Sequence, residues 1–316
     1  MATGGLGGRV LRPSGVELAP AQVAGIQRAV LRWGAANMRQ LPWRATRDPW
    51  HVLVSEVMLQ QTQVPRVLGP YGRFVARFPT PRACAEAPLL DVLGAWQGLG
   101  YNRRAVNLHR MAAALVLGHG GRVPEDLGAL VALPGVGPYT ARAVLAFAFE
   151  HDCGIVDTNV ARLLARAVAG RPLSRREAQR VADRLVPVGR SWAYNQTVLD
   201  IGSRHCAAVP DCRGCPLRRR CAWRRAGADE PDPARQGAGT SRRQAPFAGS
   251  DRQGRGRLVA ALLEGPVPAA RLASVAGWPG EVRRARAVAE SLVADGLARW
   301  DRDRLAAPEG HPPNRR

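Results

Sequence analysis

Lysine is missing from this chain. It has 46 basic residues among 316, and every one is an arginine. Against 25 acids this leaves a formal net charge of +21. A GC-rich coding sequence explains arginine in place of lysine, but not the positive excess. A polyanion is the simplest partner that the excess fits. The arginines run through the whole chain rather than gathering in one tail, which favours nucleic acid over a membrane surface. Their monopoly excludes one chemistry: no side chain offers a primary amine for a Schiff base, and a guanidinium stays protonated. Also missing is any run of 18 or more apolar residues, so no membrane-spanning helix is expected. The glycine-rich start, MATGGLGGRVLRPSG, has no apolar core of a secretory signal. A cytoplasmic protein follows. Six cysteines are too few for a disulfide scaffold at this length.

What is present is helical periodicity, dominant up to about Asp200. Asp48 reads as an N-cap with Pro49 at the first helical position. Trp50, Leu53, Val54, Val57 and Met58 then form an apolar stripe. Similar patterns run from Leu89 to Trp96, Arg104 to Leu117, Pro138 to Phe149, Asn159 to Val168 and Arg175 to Leu185. Residues 224–248, rich in Gly, Pro and charge without periodicity, read as a linker. Beyond it, Gly256 to Leu263, Pro268 to Val275 and Glu281 to Leu297 read as three short helices. A terminal β-hairpin at 298–308 would complete a small winged-helix-like module over 249–316.

Three motifs carry chemistry. In LPGVGPYTARAVLAFAF, Leu133 to Phe149, a tight Gly135-Val136-Gly137 turn separates two helices. Glycines there let backbone N–H groups approach a phosphate, at a helix start that favours an anion. This is a helix-hairpin-helix, which holds a DNA backbone without reading bases. In VDTNVAR, Asp157 is an expected N-cap, which should keep its pKa low. Asn159 would sit in the first turn and bond the same ligand. Glu56, in SEVMLQQTQV, is the one acid between Asp48 and Glu86. It lies on a helix with apolar residues on both faces, so desolvation should raise its pKa; a solvated surface acid is the competing reading. Two carboxylates pushed apart in pKa suit an acid and an anion, as in glycoside cleavage. Lastly, Cys206, Cys212, Cys215 and Cys221 cluster closely enough to mean metal. Structural zinc and a [4Fe–4S] cluster are both compatible with that spacing.

LPWR (Leu41 to Arg44), SEVMLQQTQV, GLGYNRRAVNLH (Gly98 to His109), LPGVGPYT, VDTNVAR and the Cys cluster occur in the order seen in the endonuclease III superfamily of DNA glycosylases. The wording resembles its adenine-specific branch over roughly Leu41 to Cys221. The resemblance implies an all-α, two-lobed fold: a six-helix lobe at about 48–152, and a second lobe from about 20–47 and 153–223 that carries the Cys loop. It implies a monomeric base-excision enzyme acting on double-stranded DNA that contains adenine mispaired with 8-oxoguanine or guanine, the adenine being flipped out of the duplex. Glu56 would protonate the adenine, Asp157 would stabilise the cationic sugar, and Tyr139 and Asn159 would support them. Gln61, Thr62, Leu99 and Tyr101 would contact or enter the duplex, with Gly135, Val136 and Gly137 on the backbone. Trp43 and Gln196 would line the base pocket. The four Cys would hold a [4Fe–4S] cluster. Superfamily members that cut the strand use a lysine at the hairpin position held here by Tyr139, so base removal without strand cleavage is implied. Two departures stand out: five residues separate the first two Cys where the family usually has six, and residues 249–316 are too few for the Nudix-like domain of many members. A G:T mismatch thymine glycosylase, and a non-catalytic DNA-binding protein with a structural metal, are the alternatives.

Overall fold

The computed structural model describes residues 16–240 and 246–308. The glycine-rich start and part of the expected linker lie outside them. The helices are α1 (Pro20–Asn37), α2 (Pro49–Leu59), α3 (Val64–Arg77), α4 (Pro81–Glu86), α5 (Leu89–Ala95), α6 (Arg103–His119), α7 (Leu127–Ala132), α8 (Pro138–Ala148), α9 (Thr158–Leu163), α10 (Arg175–Leu185), α11 (Ser191–Arg204), α12 (Ala222–Arg225), α13 (Asp251–Glu264), α14 (Leu272–Ala276) and α15 (Val282–Ala294). None of the described helices is long and apolar enough to cross a membrane. The chain divides into two compact units. One is built on the segments that end at Met38 and begin at Asp152; the other on Arg39–His151 and the C-terminal residues.

In the second of these, α2 is the central element. Asp48 caps it, its Oδ1 accepting from His51 N at 2.9 Å, and Pro49 starts it, as the sequence predicts. Every residue from Val52 to Met58 is buried, because α2 packs against α3, α6 and α8 at once. Phe74 and Trp96 meet edge to face in the same core, with centroids 6.0 Å apart. Helices α3 and α4, which the periodicity did not bring out, close this core through Val67, Tyr71, Phe74 and Cys84.

The first unit packs α1 on α11. The approach is close: a Cβ added at Gly34 would collide with Thr197 Oγ1. The helix expected from Asn159 to Val168 is α9 continued by a π-helical turn, Leu164–Ala169. The segment 224–248 departs from the expected linker. Asp232, Pro233 and Ala234 are buried within this unit, because Asp232 pairs with the buried Arg166.

At the C-terminus, α13, β1 (Val267–Pro268), α14, α15, β2 (Arg299–Asp301) and β3 (Arg304–Ala306) follow in order, with a mixed-connection antiparallel sheet β1-β3-β2. The expected hairpin is β2–β3, pairing Trp300 with Leu305. Strand β1, pairing Val267 with Leu305, replaces the start of the expected second helix. The third helix stops at Ala294, short of Leu297, where Gly296 takes φ 73°. Leu258, Leu262, Leu292 and Leu305 form the buried centre.

Candidate active site and DNA interface

The hairpin forms as the sequence predicts. Asp126 caps α7 by accepting from Ala129 N at 2.8 Å, Leu133 O accepts from Val136 N, and Gly137 O accepts from Ala141 N to open α8. Gly135 takes φ 78°, and a Cβ there would lie 2.9 Å from Asn107 Cβ, so this position needs glycine on both counts. Val136 is buried, which leaves its backbone rather than its side chain to meet a partner. Tyr139, one residue into α8, is half-buried.

Glu56 is 5 % exposed on α2, which removes the reading of a solvated surface acid. The helix ends at Leu59, and the chain beyond it is held by an arginine that the sequence analysis gave no role. Arg104, 8 % exposed on α6, donates from Nη1 to the carbonyls of Val57, Met58 and Gln60 at 2.9, 2.7 and 2.6 Å. Its Nη2 donates to Thr62 Oγ1 at 3.0 Å and to the carbonyls of Leu99 and Gly100 at 3.3 and 3.0 Å. One guanidinium therefore fastens the 60–62 turn to the 98–101 turn. Burial pulls its pKa down to about 10, which leaves it cationic at neutral pH. Both turns carry left-handed backbone at a non-glycine residue: Gln61 at φ 54° and Tyr101 at φ 49°. Such geometry persists only where surrounding contacts over-determine it, and Arg104 supplies them. Gln61 and Tyr101 are exposed, Tyr101 by 39 %, whereas Leu99 is buried beneath its turn. Gln60 has a partner too: its Nε2 donates to Thr140 Oγ1 at 3.3 Å, tying the end of α2 to α8 beside Tyr139. Trp43 is buried and packs edge to face on Tyr71 at 5.4 Å.

In the other unit, Asp157 caps α9 as expected, its Oδ1 accepting from Val160 N at 2.6 Å. Asn159 Nδ2 donates to Asp157 Oδ2 at 2.7 Å. The cap does not keep the pKa low, however. Burial pushes the Asp157 carboxyl up, against the opposing pull of the Val160 N–H, Asn159 and the Arg162 charge. Desolvation outweighs the helix end here. Arg162 donates to Asn159 Oδ1 and, from Nε, to Cys206 O at 3.0 Å, so a hydrogen-bonded chain joins Asp157 to the Cys loop. Gln196, on α11, is 4 % exposed and is not a surface glutamine.

All four cysteines of the cluster line one small cavity with Leu163, Ala167 and Leu217. Among the described residues no three His, Cys, Asp or Glu side chains gather closely enough to hold a single ion. Burial raises the Cys206 and Cys221 thiols and pushes Cys215 to about 11. Arg166, 2 % exposed, spans the back of the loop. It forks onto Asp232 at 2.8 and 2.6 Å and donates to the carbonyls of Cys206, Ala207 and Ala208 at 3.2, 2.7 and 3.1 Å, with Cys206 Sγ at 3.5 Å. The fork holds the Asp232 carboxyl below the usual range despite its burial. Asp232→Asn should therefore cost about 3–5 kcal/mol, the usual cost of stranding one half of a buried pair. A lowered melting temperature and faster amide exchange at 206–208 would show it. Because the folded pKa is depressed, this contribution is complete above the unfolded value of about 3.9 and fades as pH falls through the folded one. A melting temperature unchanged at pH 7 would deny the pair any role.

A turn that offers backbone N–H groups between two helices, with an exposed aromatic and glutamine held rigid in the same unit, is the arrangement of a helix-hairpin-helix DNA-binding protein. Residues 54–187 match the family of HhH-GPD superfamily base excision DNA repair proteins. The chain is 42 % identical over 275 residues to the adenine DNA glycosylase of Mycobacterium tuberculosis, covering 85 % of this chain and 88 % of that protein. It belongs to the adenine DNA glycosylase family. Among solved structures it resembles a thermostable thymine-DNA glycosylase, with TM-score 0.61, 27 % identity, and 65 % and 98 % of the two chains covered. It also resembles endonuclease III in a trapped covalent intermediate with DNA, with TM-score 0.58, 25 % identity, and 67 % and 100 % covered.

Proposed function

We propose that this protein is a monomeric, cytoplasmic base-excision enzyme that hydrolyses the N-glycosidic bond of adenine mispaired with 8-oxoguanine or guanine. One observation carries the reading: a fully formed helix-hairpin-helix whose unit also buries a carboxylate, Glu56, in a chain that is 42 % identical to an adenine DNA glycosylase. Gln61 and Tyr101 enter the duplex and offset the unstacking cost of flipping; Thr62 and Leu99 shape their turns. Gly135, Val136 and Gly137 present backbone N–H groups to phosphates. Glu56 donates a proton to the leaving base, which departs as neutral adenine. Asp157, ionised, stabilises the positive charge that develops on the sugar until water adds. Tyr139 and Asn159 support the two carboxylates, and Gln196 and Trp43 contact the flipped base. The excess of arginine over acid supports DNA as the partner.

The donor set of the first unit suits a [4Fe–4S] cluster. Four thiols ring one cavity with an apolar lining and an arginine N–H at a sulfur, as such clusters are held. Cys206, Cys212, Cys215 and Cys221 would be the ligands. A cluster there would supply cross-linking of the loop.

With Tyr139 in the hairpin and no lysine in the chain, excision leaves an intact abasic strand. Incubated with an A:8-oxoguanine duplex, the enzyme should release adenine, and the strand should break only on later heating in alkali. Borohydride should trap almost no protein–DNA adduct. Adduct formation in step with base release would contradict this.

A further inference from the structure

His205 ends α11 and immediately precedes the first cysteine of the cluster. Its backbone follows local rules. The N–H donates to Ile201 O at 2.8 Å, and the carbonyl accepts from Asp211 N at 3.0 Å, which closes the loop between Cys206 and Cys212. Its side chain does something that no local rule requires. His205 is 8 % exposed, and it lines the same cavity as the four cysteines. Trp33 of α1 meets the imidazole edge to face, with centroids 5.7 Å apart. Gly214, between Cys212 and Cys215, lies against its edge: a Cβ added there would stand 3.2 Å from Cε1 and 3.9 Å from Nδ1. The ring is held from two sides, yet its Nδ1 is buried without a hydrogen-bond partner among the described residues. A buried polar atom is costly to leave unpaired, and native proteins rarely do so.

The described side chains that line this cavity include no carboxylate, hydroxyl or amide. Besides apolar groups they are arginines and a tryptophan, which only donate, and the cysteines. Sulfur is therefore the one side-chain acceptor that the cavity offers an imidazole N–H. We propose that His205 Nδ1–H donates to a sulfur of the cluster carried by Cys206, Cys212, Cys215 and Cys221, and thereby raises its reduction potential. The inference rests on the reading of these cysteines as ligands of a [4Fe–4S] cluster. Thiolate and sulfide sulfurs accept without donating, which places the imidazole proton on Nδ1. An electron added to such a cluster increases the negative charge on its sulfurs, so a donor at sulfur favours the reduced form over the oxidised one. Arg166 makes one such bond, 3.5 Å from Cys206 Sγ; His205 adds a second. It acts through the cluster and touches no substrate.

The test uses full-length protein purified without oxygen, with metal content measured before anything else. About four irons per chain are expected. Stoichiometric zinc without iron would overturn the cluster reading itself, and this proposal with it. On iron-loaded protein the midpoint potential is then measured by voltammetry for three forms. His205→Phe keeps an aromatic ring against Trp33 but removes the donor, and its potential should fall below that of the wild type. His205→Asn puts an amide N–H where Nδ1 stood and should recover most of the difference. An unchanged potential in iron-loaded His205→Phe, or an equal fall in His205→Asn, would overturn the proposal while leaving the cluster reading intact. A measurement on the wild type alone covers the case in which the variants do not load. With histidine labelled by ¹⁵N and the cluster brought to a paramagnetic state, pulsed electron paramagnetic resonance should detect one weakly coupled histidine nitrogen. No coupling, or a coupling strong enough for an iron–nitrogen bond, would contradict a hydrogen bond to sulfur.

Discussion

Glu56→Gln should abolish adenine excision while leaving mispair affinity nearly intact. Glutamine matches glutamate in volume, so the buried face of α2, where Val52 to Met58 are all enclosed, keeps its packing. It has no proton to deliver to the departing base. A positioned general acid contributes on the order of 10² to 10⁴ in rate, so the single-turnover rate should fall by at least that much. The partner carboxylate adds a pH signature. In the proposed mechanism Asp157 works as an anion, and burial raises its pKa. The excision rate should therefore decline, as pH is lowered, from above the ordinary aspartate range of about 3.9. A rate flat down to that value would mean that Asp157 is not the group that must be ionised.

Arg104→Leu should be strongly destabilising. The guanidinium serves six acceptors, on the end of α2 and on the 60–62 and 98–101 turns. Leucine fills part of the volume but strands carbonyls in a buried site, at about 1–3 kcal/mol for each group left unsatisfied. A loss of about 3–5 kcal/mol is expected, because some of those carbonyls will recover water as the turns relax. Relaxation also frees Gln61 and Tyr101 from their left-handed conformations, so mispair binding should fall even at temperatures where the variant is folded. Chemical denaturation and binding measured on the same preparation check both. Wild-type affinity in a destabilised variant would show that Arg104 supports the fold but not the DNA turns.

The parts of this site that were legible in the sequence are those set by local rules. Asp48-Pro49 and Asp157 start helices by capping, and Pro-Gly-x-Gly-Pro makes the hairpin turn whatever surrounds it. The arginines that hold the site together are set by distant acceptors. Arg104 shares a helical stripe with Leu108, Met111 and Leu115, all buried; a cation on an apolar stripe is the one local hint that it meets buried carbonyls. Arg166 gives a similar hint beside Leu163 and Ala167, but its partner, Asp232, sits 66 residues away in a stretch whose composition reads as a linker. The pKa of Asp157 was misjudged for a related reason. Its cap is local, but its burial depends on packing that periodicity does not specify.

The central claim is that this chain removes adenine, and does so through Glu56. The most direct measurement is single-turnover base release by the wild-type protein and by Glu56→Gln on four matched duplexes, carrying A:8-oxoguanine, A:G, A:C and T:G. The account predicts rapid release of adenine from the first two by the wild type, none of thymine from T:G, and no release by Glu56→Gln. Preferential release of thymine, or adenine release at the wild-type rate by Glu56→Gln, would contradict it.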